Sequence, residues 1–203
     1  MPLFLKKIVL SDVQLGIWKI DESFEDFFVL YPWLGSLRNS ILNSYNSNQR
    51  RCEILAVRLL IHELIGEDVL LFHKENGHPY LSNGLNIGIS HTHGYAVIVV
   101  SQSKNVSIDI EYISQRVLRI KDRFMRNDER ASSLTEYIIH WCTKETLYKM
   151  FTEDNLTFNK MQLLSIEGDN YKGIITAKNI SRNQVVNVYY FRINDAVITY
   201  AAI

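Results

Sequence analysis

The alternation of apolar and polar positions divides the chain into strand-like and helix-like stretches. Residues 3–20 read as strand material, with Trp18 near the end. Residues 22–31 and 35–46 read as short helices or helical turns around Pro32. From Asn48 to Ile65 the spacing turns helical. Ile54, Ile61 and Ile65 share one face, Leu55, Leu59 and Leu60 widen it, and Gly66 provides a stop. Val69–Phe72 and Asn86–Ser90 read as strands, separated by an Asn76-Gly77 turn, and Tyr95–Ser101 reads as a buried strand. Val106–Glu111 is a further strand, and residues 115–126 are helical and rich in Arg and Lys. Residues 133–150 form the best-marked helix, opened by a Ser133-x-x-Glu136 capping pattern. The tail predicts strands near 161–166, 171–177, 184–193 and 196–202. This order predicts an α+β fold in two comparable halves, 1–102 and 103–203, although no sequence repeat relates them.

Composition narrows the class. A chain of 203 residues, 47% hydrophobic and 22% charged, has the make-up of a soluble globular protein. Lys plus Arg equals Asp plus Glu, so no global field draws it to nucleic acid or to a membrane. Recognition of a charged partner must then be local. The start, Met1 to Leu5, is apolar only briefly, and no run reaches the roughly 20 apolar residues of a spanning helix. Cys52 and Cys142 read as reduced core thiols, and a cytoplasmic location is expected.

Strand alternation places Val106, Ile108 and Ile110 on one side and Ser107, Asp109 and Glu111 on the other. Asp109 and Glu111 are then roughly 7 Å apart, either as paired ligands of a cation or as the solvent-facing side of an edge strand. In the 133–150 helix, Leu134, Ile138, Trp141 and Tyr148 define an apolar stripe, and Glu145 falls within it. A carboxylate there needs a partner or a metal. Lys149, one turn on, would be that partner, or with Lys144 would neutralise phosphate charge. Oxygen-only ligands point to Mg²⁺. His91-x-His93 has ligand spacing and offers zinc as another reading, beside a hydrogen-bonding turn or a phosphate contact. Arg58 shares the face of Ile54, Ile61 and Ile65, with Arg51 two turns earlier. Both are candidate phosphate anchors or plain surface charges. The Arg116, Arg119, Lys121, Arg123 and Arg126 cluster is a solvated helix face or a docking patch for an acidic partner.

Asp109-Ile110-Glu111 and Trp141-Cys142-Thr143-Lys144-Glu145-Thr146-Leu147-Tyr148-Lys149 together resemble the 4′-phosphopantetheinyl transferases of the larger, pseudo-dimeric, surfactin-synthetase-activator-like type. That superfamily carries a D-x-E strand followed by a W-x-x-K-E-x-x-x-K helix. Asn76-Gly77-His78-Pro79-Tyr80-Leu81 resembles its N-G-K-P-x-L turn, and Asn86 to Thr92 its F-N-x-S-H-S segment. The resemblance covers residues 76–149 and extends weakly to either side.

It implies two similar α+β halves related by a pseudo-two-fold, with coenzyme A in the cleft between them. The implied activity is Mg²⁺-dependent transfer of 4′-phosphopantetheine from coenzyme A to a serine of an apo acyl or peptidyl carrier protein. The implied metal ligands are Asp109, Glu111 and Glu145. Lys149 would touch the pyrophosphate beside Lys144, and Ser90 and His91 the 3′-phosphate side. Glu129 matches the general base, with Asp128 or a metal-bound water as competitors. His78 replaces the motif lysine and Ser107 the usual glycine. Val117, Ile120 and Phe124 would supply apolar contacts for carrier docking. Two halves in one chain make a monomer sufficient. The rival readings are a metal-dependent phosphohydrolase of a small phosphate or diphosphate, and a non-catalytic coenzyme A or carrier-protein binding module.

Overall fold

The computed structural model describes residues 3–66 and 69–203; Met1 and Pro2 of the short apolar start lie outside them. The fold is a mixed α+β arrangement. Its elements run β1 (Leu3–Leu10), β2 (Val13–Lys19), α1 (Phe24–Leu30), a 3-10 segment Pro32–Leu37, α2 (Arg38–Ser44), α3 (Asn48–Ile65), β3 (Leu71–His73), β4 (Pro79–Leu81), β5 (Asn86–Thr92) and β6 (Tyr95–Ser101). They continue with β7 (Val106–Tyr112), α4 (Arg116–Phe124), α5 (Leu134–Met150), β8 (Met161–Gly168), β9 (Lys172–Asn179), β10 (Gln184–Ile193) and β11 (Ala196–Ala202). Strand material at 3–20 is thus a hairpin. The Pro79–Tyr80–Leu81 segment, expected as a turn, pairs with β3 as a small ribbon.

Two antiparallel sheets carry the architecture, in orders β1-β2-β6-β5 and β7-β11-β10-β9-β8. Strand alternation explains how they stack. On β6, Tyr95, Val97 and Val99 face one core while Ala96, Ile98 and Val100 face another. The first set meets Ile108 and Ile110 of β7 and Ile198 of β11, so the two sheets pack face to face. The second set receives Leu55, Leu59 and Leu60 of α3. On the far side, α5 lays Ile139, Cys142 and Leu147 over Ile175 and Val188 of the second sheet. The order of layers is helix, sheet, sheet, helix.

Helix ends follow their sequences. Ser47 caps α3 by accepting from the Arg50 N–H, and Gly66 ends it at φ +128°, a conformation that favours glycine. Ser133 caps α5 by accepting from the Glu136 N–H at 3.2 Å. The return leg of the expected capping box is displaced by one residue, because the Glu136 carboxylate accepts from the backbone N–H of Ser132 at 2.6 Å.

Both helices bury part of the expected stripe, Leu55, Leu59, Leu60 and Ile61 in α3 and Ile138 in α5, but the inward face is rotated from its centre. The buried face of α3 is centred on Cys52, Leu55, Ala56, Leu59 and Leu60, while Ile54 and Ile65 sit at its margin. In α5, Ile139, Cys142, Thr146 and Met150 turn to the core, while Trp141 and Glu145 are half-buried and Tyr148 is exposed. Arg58 of α3 thereby lines a cleft, while Glu145 of α5 stays half-buried at the edge of the helix's inward face.

Candidate active site

Strands β5 and β7 are edges of different sheets that lie side by side. Gly88 permits this, since a Cβ at that position would stand 2.9 Å from the Cα of Ser107. Ser107 Oγ donates to the Thr146 carbonyl at 2.8 Å and ties β7 to α5. This is the position where the resembling family has glycine. The glycine carrying the close approach here is Gly88 on the opposite strand.

Along that line opens a cleft of about 740 Å³, within the range of small-molecule sites. From β7 it is lined by Asp109 and Glu111, from β5 by Ser90 and His91, and from α5 by Tyr148 and Lys149. The ribbon adds His73 and His78, and α3 adds Arg50, Glu53, Ile54, Val57 and Arg58.

Asp109 is 5% exposed, so its charge requires partners. Oδ1 accepts from Lys149 Nζ at 2.7 Å and from Ser90 Oγ at 2.9 Å, while Lys149 Nζ also donates to Ser90 Oγ at 2.9 Å. Its buried Oδ2 has no hydrogen-bond partner among the described residues. Glu111 accepts from the Trp141 indole N–H at 3.4 Å. Burial, then the Asp109 charge, lifts the Glu111 carboxyl above its ordinary range. The same causes push Glu145 up to about 7. Glu111 and Glu145 are thus each raised by burial and by the Asp109 charge at the junction of β7 and α5. Among the described residues, no three His, Cys, Asp or Glu side chains stand together as a ready-made metal cluster. The unpartnered Asp109 Oδ2 and the two lifted carboxyls nevertheless fit a divalent cation, which would relieve their mutual repulsion.

Burial lowers the pKa values of His78 and His91, favouring neutral imidazoles, and it also lowers that of Arg58. Arg58 reaches across the cleft to the Leu71 carbonyl at 3.4 Å. His91 Nδ1 faces Glu53 Oε2 at 3.0 Å.

Several expected site residues sit elsewhere. Lys144 is fully buried and donates to Glu129 Oε2 and the Phe124 carbonyl, each at 2.6 Å. Glu129 also accepts from the backbone N–H groups of Arg126 and Leu163, so it is closed in an interior pair with Lys144 and does not line this cleft. Asp128 is tied to Arg126 and Gln162 at the surface. Arg51 donates to the Tyr45 and Leu42 carbonyls and to Asn48, which turns it away from the cleft. Its neighbour Arg50 takes the position expected of it. His93 is exposed in the β5–β6 turn while His91 faces Glu53, so the H-x-H spacing does not converge. Val117 and Phe124 are buried in the chain's own core, leaving Leu118 as the exposed apolar residue of α4.

The residues missed, Arg50, Glu53 and Val57, complete a stripe with Ile54 and Arg58 at spacings of three and four. That periodicity was a readable signal. No protein-family model matches the chain, and no curated protein sequence is significantly similar to it. Among the described residues no helix is long and apolar enough to cross a membrane.

Proposed function

We propose that the protein is a 4′-phosphopantetheinyl transferase, moving phosphopantetheine from coenzyme A to a serine hydroxyl of an apo acyl or peptidyl carrier protein. The observation that carries this reading is the convergence of Asp109, Glu111 and Lys149 with Ser90, His91, His78 and Arg58 on one cleft. All but Arg58 come from the four sequence segments on which the family resemblance rests, and Arg58 from the helix to which it extends weakly.

The topology supports the pseudo-two-fold arrangement. The succession β2, α3, β5, β6 gives sheet order β2-β6-β5, and β7, α5, β10, β11 gives β7-β11-β10. Each is a strand, a covering helix and a hairpin whose last strand returns beside the first. The cleft would then lie where the two units meet.

Asp109, Glu111 and Glu145 would hold Mg²⁺, which supplies charge neutralisation at the diphosphate when bound. Lys149 stands beside Asp109 to stabilise charge on the departing phosphate, and Ser90 orients both groups. The incoming serine oxygen bonds to phosphorus, the bond to the adenosine-bearing phosphate breaks, and adenosine 3′,5′-bisphosphate leaves. The serine proton passes to a group in the cleft, since Glu129 and Asp128 are engaged elsewhere. A carrier protein would dock against Arg116, Leu118, Arg119 and Arg123 on the exposed side of α4.

The test is incubation with coenzyme A, Mg²⁺ and a panel of apo carrier proteins, with the carriers analysed by intact-mass spectrometry. The expected result is a phosphopantetheine adduct that disappears for Asp109→Ala. Folded protein that modifies no carrier refutes the reading. Phosphate release without an acceptor would identify a phosphohydrolase, and coenzyme A binding without turnover a binding module.

A further inference from the structure

Glu53 is the one carboxylate that α3 places on the cleft, and its presence there calls for a reason. It is 5% exposed, and a negative charge beside a cleft suited to phosphates opposes the ligand. Its contacts supply the reason. Oε1 accepts from Gln49 Nε2 at 2.9 Å. Oε2 accepts from Arg50 Nη1 at 3.3 Å and faces His91 Nδ1 at 3.0 Å. Arg50 Nη1 also meets His91 Nε2, and its guanidinium lies 6.0 Å from the centre of the Tyr45 ring. A helix residue, its neighbour one turn back and a strand residue from β5 are thus closed into one unit.

The chemistry of that unit is directional. Burial, then the Arg50 charge, holds His91 below its usual range and favours the neutral ring. With Glu53 opposite Nδ1, the single ring proton belongs on Nδ1, and Nε2 is left to accept from Arg50. Among the described residues Arg50 is tethered through Nη1, while its side chain stays 41% exposed. Its Nη2 and Nε donors make no hydrogen bond among those residues and lie on a side chain that lines the cleft. Without Glu53, a long side chain on the first turns of a helix would sweep solvent and lose orientational freedom on binding.

We propose that Glu53 is a positioning residue that, together with His91, holds Arg50 as a preformed anion clamp on the α3 side of the cleft. The clamp rests on the reading of this cleft as a site for a phosphorylated ligand, and Glu53 touches no ligand itself.

Two measurements test it. In protein labelled with ¹⁵N-histidine and free of ligand, NMR should show the Nδ1–H tautomer at His91. Glu53→Met, which keeps the volume but removes the acceptor, should shift His91 toward the Nε2–H form. Glu53→Gln restores an acceptor and should return the tautomer without restoring the anchor of Arg50. Separately, calorimetry with coenzyme A and with inorganic pyrophosphate should show at least a tenfold weakening for both Glu53 variants. In an Arg50→Ala background the same changes should cost less than twofold, because Glu53 acts through Arg50.

Equal weakening in both backgrounds overturns the proposal, as does an unmoved His91 tautomer in Glu53→Met. Wild-type protein that binds neither probe also overturns it. The two readings fail separately. Non-additive pyrophosphate binding without carrier modification keeps the clamp and refutes the transferase. Carrier modification that Glu53→Gln leaves untouched in both binding and turnover does the reverse.

Discussion

Replacing Glu129 by Ala separates a structural pair from a catalytic base. Glu129 and Lys144 have side-chain exposures of 1% and 0%. Removing the carboxylate strands a buried ammonium whose other acceptor among the described residues is the Phe124 carbonyl. It also deprives the Arg126 and Leu163 N–H groups of their acceptor. Breaking one side of a buried pair costs about 3–5 kcal/mol. Typical domains are stable by only about 5–15 kcal/mol, so Glu129→Ala should fold marginally. The double variant Glu129→Gln/Lys144→Met keeps an acceptor for Leu163 and removes the stranded charge. It should lose less than the sum of its single changes by about 1–3 kcal/mol of coupling. Urea unfolding followed by far-UV circular dichroism measures both, provided the slope with denaturant is unchanged. A Glu129→Ala loss below about 1 kcal/mol, accompanied by collapse of transfer activity, would refute the structural assignment and restore Glu129 as the base.

Two further predictions use other parts of the fold. Gly88→Ala places a Cβ 2.9 Å from the Ser107 backbone. It should cost about 1–3 kcal/mol through overpacking, read as a lower thermal midpoint; an unchanged midpoint would show that β5 and β7 separate freely. Asp12 accepts from the Ser103 N–H and from the Ser101 and Ser103 hydroxyls, in that order of effect, and is held at about 2 against an ordinary 3.8. Its folded pKa is depressed, so its stabilisation is present above the unfolded value and lost as pH falls from about 4 toward 2. Asp12→Asn should flatten the acid limb of a stability profile in that window, and an unaltered limb would contradict the assignment.

The elements with strong periodicity were legible in the sequence. The helices at 48–65 and 133–150, and the alternation through Asp109 and Glu111, needed only local spacing. What spacing could not supply was which side of each helix the sheet would occupy. Glu145 was expected on the core-facing stripe, and it lies instead at the stripe's margin, yet desolvation and Asp109 still lift it to about 7. Arg51 lies off the cleft, and Arg50 on it, for a related reason. Adjacent helical positions differ by about 100°, and the carbonyls of Tyr45 and Leu42 that capture Arg51 belong to a connection with no pattern of its own. Lys144 beside Glu145 looked like a second phosphate ligand. The same 100° step sends it to the opposite side, where Glu129 meets it. Val117 and Phe124 showed helical spacing but not whether their partner was another molecule or the chain itself, and they pack in the chain's own core.

The seam between β5 and β7 has a consequence for how the cleft can respond to its contents. Its floor is two strand edges held at a fixed distance by the slab of Val97, Val99, Ile108, Ile110 and Ile198 between the sheets. Interiors of this kind are close-packed and poorly compressible. The cleft is thus a dimension inherited from the core, and adaptation to a ligand falls to side chains along its rim. A methylene added to or removed from Val97 or Ile108, out of reach of any ligand, would alter the spacing of Ser90 and Asp109. Tuning of this site is therefore open to substitutions that never touch it.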